Sequence, residues 1–263
     1  MVDIYDAATG AWSTDALAVP RRNLAATSVG TKALFAGGFG VNVRSREVDI
    51  YDTATDRWSS ARLSLARSQL AATTVGDKAI FAGGMRSGRE SEAVDIYDDA
   101  TGAWSTATLS QARSDIGAAS VGTLAIFAGG SSAVLSQLSD ASIDAVTALV
   151  DIYDDATGSW SSATLNQIGA ISATTGLGSK AIFVGGSSRL SNGRYYGPGQ
   201  WLDIYDTTAG RWSAQTLPTE RRSIVAAAVG DKALFAGGRL PPTASKTSPF
   251  SSAVHMYMLR RFR

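Results

Sequence analysis

The chain has 263 residues, 44% of them hydrophobic and 18% charged, with a formal net charge of +1. That is globular composition with ample length for a core, and no global charge asks for nucleic acid or an anionic membrane. The absence of cysteine excludes disulfides, thiolate nucleophiles and cysteine metal sites.

The first predicted strand is the alternating VDIYD from Val2, with two distinct faces. The turn DAATG follows, where Asp and Gly serve a tight reversal, and then a second strand, AWST. From Leu24, LAATSVG reads as a small-residue strand ending in a glycine turn, and from Lys32, KALFAGG is an apolar strand closed by two glycines. After a polar loop the opening phrase returns at Val48, then at Val94, Val150 and Leu202, and in degraded form at Val254 as VHMYMLRRFR. The chain is therefore a repeat array. Helical periodicity is nearly absent; the stretch 131–149 has room for one short helical turn.

The intervals separate fixed from tolerant segments. Each Tyr (5, 51, 97, 153, 205) precedes a Trp (12, 58, 104, 160, 212) by 7 residues, and the next Arg position follows the Trp by 9. That position holds Arg21, Arg67, Arg113 and Arg221, with Gly169 once, and precedes the second glycine of each pair by 17. The step from glycine pair to next Tyr alone varies, at 13, 13, 23, 19 and 19 residues. Fixed intervals are what packed strands and tight turns impose, and variable ones belong to surface loops. With the strands of a unit named a (small), b (apolar), c (VDIYD) and d (Trp), a four-stranded unit cannot bury both its faces alone. Radial stacking covers each face with its neighbour and crowds the small a strands at the axis. The recurring Trp and Tyr then serve as cement between units.

The glycine pair, the third-strand Tyr, the Trp seven residues on and the Arg before the next first strand together resemble the Kelch family, over essentially the whole chain. The resemblance implies an all-β fold, a Kelch-type β-propeller of four-stranded antiparallel blades forming one domain over 1–263. It is unspecific for function, because Kelch propellers include scaffolds, ubiquitin-ligase adaptors and a few enzymes. The strand inventory is five a, five b, six c and five d. Five blades result if the N-terminal c and d strands (2–17) pair with a and b at 224–238, as Kelch proteins close, leaving 254–263 surplus. The alternatives are six blades with incomplete terminal blades, or a piece of a longer repeat array.

Antiparallel strands put the b–c and d–a connections on one face. The variable insertions are all b–c loops, 39–47, 85–93, 131–149, 187–201 and 239–253, and they carry arginines out of register with the repeat. Arg44, Arg46, Arg86, Arg89, Arg189 and Arg194 are the binding candidates, with Tyr195, Tyr196 and Trp201 as apolar anchors of the fourth loop. The d–a arginines recur with the repeat, as do Asp3, Asp49, Asp95, Asp151 and Asp203, so they read as structural Arg–Asp pairs. The opposite face carries c–d turn aspartates, partly offset by Lys32, Lys78, Lys180 and Lys232.

The chemistry of known propeller enzymes is thin here. His255 is the only histidine, so a His-rich metal centre and a Ser-His-Asp triad have little to rest on. The copper-radical oxidases and iron-dependent specifier proteins of Kelch-like architecture need ligands this chain lacks. A paired-carboxylate glycosidase stays open, but no unique acid stands out from the repeat. No phosphate-binding glycine motif appears, and aromatics interleave too sparsely with basic residues for a nucleic-acid reader. The reading is a non-catalytic, monomeric interaction module without cofactor. It binds a protein partner with an acidic segment through the b–c face, and neither nucleic acid nor a membrane. A carbohydrate-active or small-ligand propeller is the alternative, and a structural or vestigial fragment the third. No run approaches the roughly 18 apolar residues of a membrane span, and no leader precedes Val2. If complete, the chain is expected in the cytoplasm.

Overall fold

A computed structural model describes residues 1–132, 147–167, 171–185, 188–189, 195–196, 200–221, 223–240 and 250–258, with 188–189 and 195–196 as backbone alone. The helical turn expected within 131–149 falls on 133–146, outside the described residues. Among the described residues every regular element is a strand.

An N-terminal hairpin pairs β1 (Val2–Asp6) with β2 (Ala11–Asp15). Four four-stranded antiparallel sheets follow. The first is β3 (Ala25–Val29), β4 (Lys32–Ala36), β5 (Glu47–Asp52) and β6 (Arg57–Arg62). The second is β7 (Ala71–Val75), β8 (Lys78–Ala82), β10 (Arg89–Asp98) and β11 (Ala103–Arg113), with the short β9 (Met85–Arg86) folded back on β10. The third is β12 (Gly117–Val121), β13 (Leu124–Ala128), β14 (Leu149–Asp154) and β15 (Ser159–Thr164). The fourth is β16 (Ile171–Leu177), β17 (Lys180–Gly185), β20 (Trp201–Asp206) and β21 (Arg211–Thr216), and β18 (Ser188–Arg189) with β19 (Tyr195–Tyr196) forms a separate small ladder. A terminal three-stranded sheet is β22 (Val225–Val229), β23 (Lys232–Ala236) and β24 (Val254–Met258).

The period-2 alternation of each strand divides every sheet into an aliphatic and an aromatic face. Leu34, Val48, Ile50 and Leu63 of the first sheet meet Ala79, Phe81, Tyr97 and Trp104 of the second in one buried cluster. The same arrangement recurs between the second and third, third and fourth, and fourth and terminal sheets. Phe81, Phe127, Phe183 and Phe235 are fully buried, each contributing about 1.5–3 kcal/mol. The inner strands β3, β7, β12, β16 and β22 touch in succession, as their small residues allow.

The glycine pair has a steric cause. Gly37 and Gly83 hold φ near +65°, and a Cβ on either would lie 2.6 Å from the carbonyl oxygen of Arg67 or Arg113, where the chain leaves that sheet for the next. Gly38 N–H donates to that same Arg67 carbonyl at 2.8 Å. The glycines are where a sheet's loop root is bonded to the segment that leads to the next sheet.

The expected closure by residues 2–17 does not form. The place beside β23 is held by β24, in the register Ala233↔Tyr257 and Phe235↔His255, while β1–β2 stands apart as a two-stranded sheet. A strand from the adjoining loop closes a far shorter chain segment than one from the other terminus. β24 also retains Tyr257 in register to cover Phe235. The hairpin stays on the first sheet, where Trp58 Nε1 donates to Asp15 at 2.7 Å. Among the described residues the N-terminal sheet thus has two strands and the C-terminal sheet three.

Candidate functional site

The loops of the b–c face are fixed at their roots by the repeating arginines. Arg67 and Arg113 are fully buried. Arg67 Nη1 donates to the carbonyls of Gly83 at 2.7 Å and Ala93 at 2.5 Å, the two ends of loop 85–93, and Nη2 pairs with Asp95. Arg113 does the same with Gly129 at 2.8 Å, Leu149 at 2.7 Å and Asp151. Arg21 donates to Glu47 O at 3.0 Å and pairs with Asp49 at 2.5 Å. The second oxygen of each aspartate accepts from the incoming d–a connection: Ala18 N on Asp49, Ser64 N on Asp95 and Ser110 N on Asp151. Burial depresses the Arg67 and Arg113 pKa values, and the facing aspartate pushes each back up. These pairs are structural, as their recurrence predicts.

Two units break the pattern in complementary ways. The sequence has Gly169 in place of the fourth arginine, and Asp203, 0% exposed, accepts instead from Asn166 Nδ2 at 2.5 Å and from the backbone N–H groups of Asn166 and Gln167. Arg221 has the reverse defect. It is fully buried on the carbonyls of Gly237 and Ala253 at 2.8 and 2.6 Å and of Phe235 at 3.3 Å. His255 stands where the others have aspartate, and burial lowers the Arg221 pKa with no carboxylate to oppose it.

On this frame the first two b–c loops enclose an open cleft of about 580 Å³, lined by Phe39, Arg44, Arg46, Leu65 and Arg86 among others. The Arg44 guanidinium lies 5.7 Å from the Phe39 ring centre and Arg22 5.6 Å from it, and Arg44 Nε donates to Ser68 Oγ at 3.2 Å. Arg46 and Arg86 are exposed. Arg86 and Arg89 are directly opposite across a two-residue turn in which Ser87 and Gly88 both have positive φ. Like charges facing each other across a hairpin are destabilising, so this tip is not optimised for stability. Among the described residues none of Arg44, Arg46, Arg86 and Arg89 forms an ion pair, and Glu47 is taken by Arg62 at 3.1 Å.

The other candidates fare differently. Trp201 opens β20 and is 5% exposed, its ring lying over Gly185 in the core between the third and fourth sheets. It is a packing residue rather than an exposed anchor, because the loop delivers it into the strand. Arg189 pairs with Tyr195, and Ser188 with Tyr196, in the β18–β19 ladder; Arg194 lies outside the described residues. The aromatic residue of the cleft is Phe39, which sequence reasoning missed. Its signal was present: it is the one aromatic residue directly after a glycine pair, with arginines on either side.

The opposite face is neutralised in part. Lys32 pairs with Asp99 at 2.7 Å, Lys78 with Asp155 at 2.9 Å and Lys180 with Asp206. The axial hollow of about 540 Å³ is lined by Thr73, Ser120, Thr175 and apolar or glycine residues without a titratable side chain. Among the described residues no three His, Asp or Glu side chains cluster as metal ligands.

Sheets of four antiparallel strands stacked face to face around inner strands of small residues define a β-propeller repeat protein. The Kelch motif matches residues 20–62, the segment holding Arg21, Gly37, Gly38, Tyr51 and Trp58, and this unit recurs along the chain. The fold is a β-propeller of the Kelch type. Among solved structures, YjhT aligns with a TM-score of 0.65 at 15% identity, covering 92% of this chain and 82% of that one, a likeness of fold. No curated protein matches the chain.

Proposed function

We propose that this protein is a non-catalytic interaction module that holds an acidic segment of a protein partner in the cleft between the first two b–c loops. The Kelch propeller fold is commonly a protein-interaction platform. The observation that carries the reading is the meeting of Arg44, Arg46 and Arg86 around Phe39 with no carboxylate among them. Guanidinium groups give bidentate recognition of carboxylates, and Phe39 offers an apolar floor for the stem of an acidic side chain.

The test is capture from source lysate at about 50 and about 200 mM salt, conditions that change the Debye length roughly twofold, with wild type beside Arg44→Glu/Arg86→Glu. The captured protein is then titrated against both forms, together with a peptide of its most acidic stretch. A partner weakened by salt, and weakened about tenfold or more by the double reversal, supports the reading. Equal capture by both forms overturns it. Turnover of any glycan by the wild-type chain would move the function to the carbohydrate-active class.

A further inference from the structure

The first and second b–c loops share one frame. Each follows a glycine pair, and the two are equal in length, so 39–47 aligns with 85–93 without a gap. Both turn back as hairpins, with Phe39 opposite Arg44 in the first and Met85 opposite Glu90 in the second. Ser45 N–H donates to Gly38 O at 2.9 Å, and Ser91 N–H to Gly84 O at 2.8 Å. The two serine hydroxyls accept from Glu47 N at 3.0 Å and from Ala93 N at 3.2 Å. The loops therefore differ in the chemistry of their tips, on the same backbone support.

The second tip is polar throughout. Arg86, Ser87, Gly88 and Arg89 are exposed, and Ser87 and Gly88 supply the positive φ that a two-residue reversal favours. In the first tip Gly40 N–H donates to Val43 O at 2.8 Å, and Asn42 has positive φ. Val41 and Val43 flank that asparagine, 86% and 64% exposed. Turn geometry does not ask for them, since Asn, Asp and Gly are what a reversal favours. Between the N-terminal hairpin and the terminal sheet they are the two most exposed large hydrophobic side chains among the described residues.

Both tips border the arginine cleft, the first through Asn42 and Val43 and the second through Arg86 and Ser87. Arg44 reaches from the first loop toward the second sheet, where Ser68 Oγ holds it. Glu90 and Glu92 stand at the repeat positions of Arg44 and Arg46 and do not line this cleft. The rim is thus apolar along the first loop and basic along the second.

We propose that the occupant of the cleft is an extended segment of a partner protein in which an acidic residue is directly adjacent to an aliphatic or aromatic one. The proposal rests on the arginine reading above and adds the apolar half of the recognition. Successive side chains of an extended chain point to opposite sides, so two neighbouring residues reach both rims. The acid meets Arg86 and Arg44, and its apolar neighbour covers Val43 and Val41. Two neighbouring acids would press one carboxylate onto the valines, and two neighbouring apolar residues would cover guanidinium groups with no carboxylate. Burying either charge unpaired is unfavourable. A helix is about 10–12 Å across with its side chains, and one turn of it would take up most of a cleft of about 580 Å³.

The test pans a random peptide library displayed on phage against the wild-type chain, with counter-selection on Arg44→Glu/Arg86→Glu. Enriched peptides are expected to carry Asp or Glu with an aliphatic or aromatic residue at the next position on one side. The strongest is then titrated by fluorescence anisotropy. Binding should weaken about tenfold or more with Arg44→Glu/Arg86→Glu, and about five- to tenfold with Val41→Ser/Val43→Ser. An unchanged urea midpoint in both variants is the control for folding. Moving the apolar residue of the peptide one place further from the acid should cost as much as removing it, because it then points to the acid's side. Enriched acids without an adjacent apolar residue, a peptide indifferent to that move, or equal binding by Val41→Ser/Val43→Ser would overturn this proposal and leave the arginine reading standing. Peptides that bind the arginine variant as well as wild type, or no enrichment at all, would overturn both.

Discussion

The second sheet and the terminal sheet carry nearly the same strands and differ in what completes them. In the second, Arg67 meets Asp95, Trp104 meets Phe81 and Tyr97, and four strands are present. In the terminal sheet Arg221 lies near His255, and three strands are present among the described residues. Its b-strand Phe235 is as buried as Phe81, so the hydrophobic repeat survives where the polar partner is lost. The comparison teaches that the repeat has two separable layers. An apolar layer stacks the sheets, and an Arg–Asp layer fixes the roots of the loops that carry the cleft arginines.

The largest effect should come from breaking the second layer where it is intact. Arg67→Met strands the buried Asp95 and the carbonyls of Gly83 and Ala93, and is expected to cost about 3–5 kcal/mol. Arg221→Met removes a buried charge that has no carboxylate, so it should cost about 1–3 kcal/mol, the price of carbonyls left without donors. Urea unfolding of the two variants measures the difference; equal losses would mean that the aspartate contributes nothing. Arg67→Met should also speed hydrogen exchange in 85–93, the loop of Arg86 and Arg89, because that loop loses both its anchors.

The aromatic contrast is the next largest. Trp104→Ala should cost about 3 kcal/mol, whereas Trp12→Ala, at 70% exposure, should stay within about 0.5 kcal/mol in dilute solution. If the two cost the same, the N-terminal hairpin is covered in solution and the exposed face of Trp12 is not free.

Much of this was legible because the repeat aligns the chain with itself. The interval of 17 from arginine to glycine reflects the backbone pairs Arg22–Phe39 and Ser68–Met85 just beyond its two ends, a constraint that admits no insertion. The Arg–Asp pairs could be read from co-recurrence alone. The closure could not, since β1 and β24 are both c-type phrases competing for β23, and composition does not rank the two. Trp201 misled because its flanking Gly and Pro residues describe a loop, while its own side chain starts the next strand. Phe39 was passed over because it appears once, and a repeat reading discounts what does not recur.

Restoring the second layer should stabilise the terminal sheet by a smaller amount. His255→Asp places a carboxylate opposite Phe235, the position from which Asp95 reaches Arg67, and is expected to add about 1–2 kcal/mol. It should also remove a pH dependence. Burial first, and Arg221 second, push the His255 pKa below its ordinary value, so the unfolded chain binds the proton better. Stability is then lost as pH falls from about 6.5. The urea midpoint of wild type should fall in that window, with the slope absent in His255→Asp; a slope unchanged by the substitution would assign the effect to another group.

The smallest expected effect compares how the opposite face is tied. Lys32 and Lys78 reach across to Asp99 and Asp155 of the next sheet, whereas Lys180 pairs within its own sheet with Asp206. The Lys180 ammonium, with Ser179 Oγ and Thr208 N–H also donating, lowers the Asp206 pKa from 3.8 to about 2. A depressed carboxylate contributes stability above its unfolded value, and that contribution is lost as pH falls from about 3.8 toward about 2. Both side chains are about a fifth exposed, and solvent screening holds the contribution to about 1 kcal/mol or less. Asp206→Asn should lower stability by that amount at neutral pH and by nothing at the acid end. By contrast, Asp155→Asn removes a tie between sheets, and should loosen the contact of the second sheet with the third as well as shift the midpoint. Hydrogen exchange at the turn of Gly76, whose Cβ position lies 2.2 Å from Asp155 Oδ2, separates the two cases. Exchange there should rise with Asp155→Asn and stay unchanged with Asp206→Asn, and a rise in both would show that the lysine face acts as one network rather than as separate ties.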